Sequence, residues 1–141
     1  APAVPSLAFP EATGYLLLPP STLNVKVVPA GAATPVVIDA DLELEAGIEQ
    51  TVLAVGPLAE IEPLVLVDDN RRIATEARIR LVHASPSAGN VDIYVTDAVT
   101  SIDDVAPAFA DVPFKADTGY VGLEPGSYAV TVTPAGSKVP A

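Results

Sequence analysis

Cysteine, methionine and tryptophan are absent from the 141 residues. Without cysteine there is no disulfide framework, no thiol nucleophile and no cysteine-bound metal. That absence leaves the compartment open, because exported proteins also dispense with cysteine; an acidic chain rich in Thr, Val and Pro suits the outside of a cell better than the cytosol. Basic residues are scarce, seven Lys and Arg against eighteen Asp and Glu, for a net charge of −11. No basic cluster exceeds Arg71-Arg72 or the pair Arg78 and Arg80. A phosphate backbone needs concentrated Lys and Arg, so nucleic acid is not an expected partner, and anionic membrane surfaces are disfavoured for the same reason. No run approaches the roughly 20 apolar residues of a membrane span, so no membrane insertion is expected. A chain that opens Ala-Pro-Ala is expected to be a processed product or a fragment, with any signal peptide or anchor lying outside it.

What is present is half apolar, mostly Val, Ile, Leu and Ala, with fifteen prolines and nine glycines dispersed between short apolar runs. That is the punctuation of an all-β protein, and no helix-period stretch competes with it. The strongest internal signal is a repeat. TGYVGLEPGSYAVTVTPAGSKVP, from Thr118 to Pro140, lies over TGYLLLPPSTLNVKVVPAGAATP, from Thr13 to Pro35, without a gap. The pair keeps Thr, Gly, Tyr, Leu, Pro, two valines and a closing Pro-Ala-Gly. Phe9 falls on Phe114, so the period is 105 residues.

In chain order, prolines 2, 5 and 10 make the opening an extended segment anchored by Leu7 and Phe9. Thr13–Leu18 reads as a strand, Pro19 to Thr22 as a turn, and Leu23–Val28 as the returning strand of a hairpin. The next segment alternates strictly, with Ile38, Ala40, Leu42, Leu44 and Ala46 on one face and Asp39, Asp41, Glu43 and Glu45 on the other. Gln50–Val55 is nearly all apolar, as suits a central strand buried on both faces, and Ile61–Val67 is a further strand. The polar run Asp68-Asp69-Asn70-Arg71-Arg72 marks the best domain boundary, giving segments 1–74 and 75–141. Beyond it, Arg78–His83 and Val91–Val95 read as paired strands across a turn-rich loop, with Ile79, Leu81 and His83 on one face. Residues 96–113 are looser, with a short helical turn at TSIDDVAP capped by Thr100 or Ser101.

The run RIRLVHASPSAGNVDIYV, followed by F-x-x-x-TGY and L-x-PG-x-Y-x-V, resembles the secreted bacterial repeat family catalogued as domain of unknown function 4397. The resemblance implies Ig-like antiparallel β-sandwich modules carried in tandem on exported proteins. In that family the unit begins at the His-Ala-Ser-Pro strand. Residues 1–74 then correspond to the last two-thirds of a first repeat, and residues 75–141 to the first two-thirds of a second, each incomplete. An incomplete sandwich exposes strand edges and apolar faces. Three arrangements follow: a fragment of a longer chain, strands donated by a neighbouring chain as in a homo-oligomer or fibre, or a permuted single domain in which residues 36–69 complete the second unit.

Several side chains invite a chemical reading. His83 and Ser85 with Asp92 suggest a nucleophile and base, but neighbours at one strand end cannot easily align with a carboxylate behind them. No Gly-x-Ser-x-Gly elbow is present either, so no catalytic residues are assigned. His83, Ser85 and Pro86 are instead expected to hold the strand end and its loop together. Asp68, Asp69 and Asn70 are the best candidates for a cation such as calcium, although the Gly and distant Glu of an EF-hand loop are missing. The row Asp39, Asp41, Glu43 and Glu45 suits a solvated acidic stripe, and Asp103, Asp104 and Asp111 form a similar weak cluster. Tyr15, Tyr94, Tyr120 and Tyr128 are too few for a sugar-stacking platform. Tyr128 is expected to pack at its strand start with its hydroxyl tied to backbone, and Gly126, after Pro125, to supply a positive φ in a turn. The function expected is a non-catalytic extracellular structural or adhesive module whose partners are other β-sandwich repeats of the same or a neighbouring chain, with a calcium- or carbohydrate-binding module as the alternative.

Overall fold

The computed structural model describes residues 2–141, and the chain is all-β with antiparallel sheets. It divides into two compact units, Ala1–Asp68 and Asp69–Ala141.

In the first unit, β1 (Ser21–Val27) pairs with β2 (Ile38–Leu44), and β3 (Glu49–Val55) pairs with β4 (Glu62–Asp68). The alternation of β2 sets the register. Ile38, Ala40 and Leu42 lie opposite Val27, Val25 and Leu23, so one face of the ribbon is apolar. On the other face Lys26 pairs with Asp39 at 3.0 Å, and the Asn24 amide donates to both Asp39 and Asp41 at 2.8 Å. The β3–β4 connection needs its glycine: Gly56 has φ +100°, and a Cβ there would lie 3.0 Å from the Glu60 carbonyl oxygen.

The expected burial of Gln50–Val55 on both faces is not found. β3 has β4 as its only ladder partner, and Val52 is 43% exposed. An unbroken apolar run marks a strand that tolerates two covered faces, but it does not supply the second cover. Thr13–Leu18 is extended without a ladder partner, Leu17 being fully exposed, and the chain enters β1 already at Ser21, within the expected turn.

The second unit holds β5 (Ala77–Ile79), β6 (Val91–Asp97), β7 (Phe109–Val112), β8 (Val121–Leu123) and β9 (Tyr128–Pro134). One sheet has the order β7-β6-β9; β5 and β8 form another. Val91, Ile93 and Val112 make the core, at 2%, 4% and 9% exposure, with Leu81 and Phe109 packed on them. The opposite face of β6 is also covered. Tyr94 is 2% exposed beneath the Lys138 ammonium, which sits 4.5 Å from the ring centroid and donates to the carbonyls of Ile102 and Val105. The core is not sealed everywhere. An apolar cleft of about 340 Å³ opens between Leu81, Val95, Val121 and Tyr128, and Val130 and Val132 are 47% and 38% exposed. The sandwich is not closed.

Three expectations change here. The repeated stretch is not a hairpin: β8 pairs with β5 and β9 with β6, so its two arms join different sheets. That explains the bare arm at 13–18, whose counterpart Val121–Leu123 is a strand because Ala77–Ile79 lies beside it. The strand expected over Arg78–His83 shortens to β5, and it pairs with β8 rather than with the strand at Val91–Val95, whose neighbours are β7 and β9. Beyond β5, Leu81 exchanges two hydrogen bonds with Thr118, His83 donates to the Ala116 carbonyl and accepts from Lys115 N–H, and Val82 forms an isolated bridge with Asp117. Within the looser segment, β7 forms across a bulge in its pairing with β6, while the turn at 101–105 is a single turn without a helix: Val105 N–H bonds the Ile102 carbonyl, and Ser101 Oγ caps it as expected by accepting from Asp103 N–H. The closing Pro-Ala-Gly does repeat its geometry. Gly31 and Gly136 have φ +79° and +76°, each in a turn closed onto the preceding proline carbonyl.

This packing predicts a contrast. Ile93→Ala should destabilise the second unit by about 2–5 kcal/mol, while Leu17→Ala should stay within about 0.5 kcal/mol of the parent; denaturant unfolding followed by circular dichroism measures both.

Candidate functional site

The polar side chains singled out in the sequence fall mainly around the loop that leaves β5 and enters β6. His83, 7% exposed, has its Nε2 2.7 Å from the Gly89 carbonyl, and the Ser85 N–H donates to its Nδ1 at 3.4 Å. A carbonyl can only accept, so the proton is on Nε2, and the ring pins both sides of the loop. The Phe114 ring meets it edge-on at 6.3 Å between centroids. It is the backbone of Ser85, not its hydroxyl, that reaches the imidazole, and Ser85 and Pro86 are exposed at the loop surface.

Asp92 is turned to another task. Its carboxylate accepts from the N–H of Asp111 at 2.7 Å and of Gly136 at 2.8 Å, tying β7 to the turn after β9. These two donors hold its carboxyl below the ordinary carboxylate range, against the effect of burial; Lys138 adds a smaller contribution. The trio His83, Ser85 and Asp92 is therefore three separate backbone fastenings. Thr133, fully buried, makes a fourth by donating to the Ser137 carbonyl at 2.8 Å.

Asp68 and Asp69 face different partners. Asp68 accepts from Thr51 at 2.6 Å and from Tyr15 at 2.8 Å within the first unit. Asp69 is gripped by Arg71 at 2.7 Å and Arg78 at 3.0 Å, and these guanidinium groups hold its carboxyl well below the usual range. Arg71 and Arg78 already neutralise Asp69, and Asn70 is exposed beside it. Arg78 also stacks on Tyr120 at 5.0 Å, and Arg80 approaches the same ring at 4.8 Å, so Tyr120 carries two guanidinium groups. Asp103 accepts from Ser101 and Asp111 from Asn90, which places one acid in a turn and the other in β7. Among the described residues no group of three or more His, Cys, Asp or Glu is positioned to hold a metal ion.

Tyr128 donates from its hydroxyl to the Glu124 carbonyl at 2.9 Å, across the turn that leads into β9. Gly126 does not have the positive φ expected of it. A Cβ there would meet the Tyr128 ring at 3.6 Å, an ordinary contact, so the residue is small beside the ring without being conformationally required. Sequence reasoning missed Lys138 altogether. A lysine two residues after a Pro-Ala-Gly turn carries no signal of the tyrosine it covers, 44 positions earlier.

Two outcomes are expected. Because folding depresses the Asp69 and Asp92 carboxyls, their contribution is complete above the unfolded value of about 3.9 and is lost as pH falls through the lower folded values; thermal melts should be flat from neutral pH down to about pH 5 and fall steeply below about pH 4, and Asp92→Ala should melt lower with a shallower acid slope. Millimolar calcium should leave the melting temperature unchanged, because Asp69 already has its cations; a rise of several degrees would place a bound ion at this run.

A family model described as "Domain of unknown function (DUF4397)" matches residues 1–94, taking in the first copy of the repeated stretch together with the Val-His-Ala-Ser-Pro and Val-Asp-Ile-Tyr segments. No curated protein and no solved structure matches the chain. On that match over most of its length, the β-rich chain belongs to the DUF4397 family, a domain of unknown function.

Proposed function

We propose that the chain is a non-catalytic structural or adhesive β-module of the cell surface or extracellular space. It acts as a bead of a repeat array or a fibre subunit, and its work is done by sheet edges and apolar faces that a neighbouring module covers. The observation that carries this reading is Val130 and Val132, apolar core-side residues of β9 that stay 47% and 38% exposed beside a well-packed β6. A soluble module gains from covering such a stripe, and an adjoining strand is the cover that also satisfies backbone groups. The chemistry of the polar groups supports a structural role: His83, Asp92, Thr133 and Tyr128 all bond to backbone and fasten loops. The acidic composition, rich in Thr, Val and Pro, suits display outside the cell.

Sedimentation velocity over a wide concentration range tests the reading. The average mass should rise with concentration, and Val130→Lys with Val132→Lys should suppress that rise while leaving the circular dichroism of the chain intact. A mass that stays monomeric at every concentration would contradict the proposal.

A further inference from the structure

The duplicated strand is held by opposite edges in the two units, and this points to a specific partner. In β9 the Ala135 N–H bonds the Asn90 carbonyl, so odd-numbered backbone groups face β6. The Val132 carbonyl faces the other way, where it accepts from Ala141 N–H at 2.9 Å. The residue equivalent to Val132 in β1 is Val27, and its carbonyl accepts from Val37 N–H at 2.8 Å, where the chain enters β2. β2 therefore lies on the edge of β1 that corresponds to the edge of β9 away from β6. The strand is an adaptor with one side for β6 and one for β2.

Resting on the proposed role as a self-covering module, we infer that β9 of one copy takes the place of β1 beside β2 of a second copy. The β1·β2 interface of this structure is thereby continued onto the equivalent strand. The register transfers directly. Ile38, Ala40 and Leu42 of the second copy come opposite Val132, Val130 and Tyr128, apolar against apolar, and Asp39 comes opposite Thr131. Exchange converts the two-stranded β1·β2 ribbon into part of a four-stranded sheet, β7-β6-β9-β2, backed by the Val91, Ile93 and Val112 core. Isolated two-stranded ribbons are marginal in water, and sheets of more strands are not. The ladder lost from β1 is replaced along β9, β2 taking over the Val132 carbonyl from the Ala141 N–H, and the stripe at Val130 and Val132 gains a neighbour. Each copy has one β2 and one β9, so the exchange closes as a reciprocal dimer or propagates copy to copy into a larger ring or a filament.

The absence of cysteine makes the test clean. Asp39 and Thr131 would form a non-hydrogen-bonded pair, with Cα atoms about 4.5 Å apart, within disulfide range. Asp39→Cys and Thr131→Cys chains, prepared separately and mixed under mild oxidation, should give a disulfide-linked heterodimer of twice the monomer mass as the main product. Adding Val130→Pro to the Thr131→Cys chain should abolish that product, since it removes an N–H on the open edge and leaves the ladder to β6 intact; circular dichroism verifies that the variant folds. Homodimers alone, or no crosslink, would overturn the inference. So would a crosslink confined within monomers of a double variant carrying both cysteines, which would show that β9 takes β2 of its own chain. Concentration-dependent mass without the mixed crosslink would leave the surface role standing and refute only this pairing.

Discussion

A β-strand has two edges, and each carries backbone N–H and C=O groups that must find partners or water. The architecture of this chain depends on that constraint acting on one strand that occurs twice. As β1 it offers Val27 and its alternate neighbours to β2; as β9 it offers Thr131, Thr133 and Ala135 to β6. Both copies end in the same Pro-Ala-Gly turn with its positive-φ glycine, so their difference lies in the company they keep.

The two units differ in finish for the same reason. In the second, β6 has a neighbour on each edge and cover on both faces, and Val91, Ile93, Tyr94 and Thr133 are almost wholly buried. Its polar side chains reinforce that arrangement, with His83 closing the loop before β6 and Asp92 clamping β7 to the exit of β9. In the first, each sheet has only two strands, and burial below a tenth is reached at Ile38, Val55 and Leu66 alone among its described apolar side chains. A function based on edges and faces fits a molecule whose Asp69 and Asp92 are occupied by arginines and by backbone donors.

Much of this was legible from local pattern. The alternation through Ile38 to Leu44 set the face and register of β2, and the 105-residue repeat identified β1 and β9 as equivalents. Family membership followed from residues whose roles are now visible, His83 and Asp92 above all. What local pattern could not show was partnership. Thr13–Leu18 has the composition of a strand and joins no ladder among the described residues; Gln50–Val55 has the composition of a central strand and lies at an edge; β7 is short, bulged and without alternation. Asp92 could be set aside as a catalytic third member, but its sequence position says nothing of the Asp111 and Gly136 N–H groups it fastens.

Amide hydrogen exchange at low concentration measures the central claim, that the duplicated strand uses opposite edges in the two units. Residue-resolved protection should alternate out of phase: Thr131 and Thr133 protected with Val130 and Val132 fast in β9, Val25 and Val27 protected with Asn24 and Lys26 fast in β1. Protection in phase between the two copies, or equal protection at odd and even positions of β9, would contradict it.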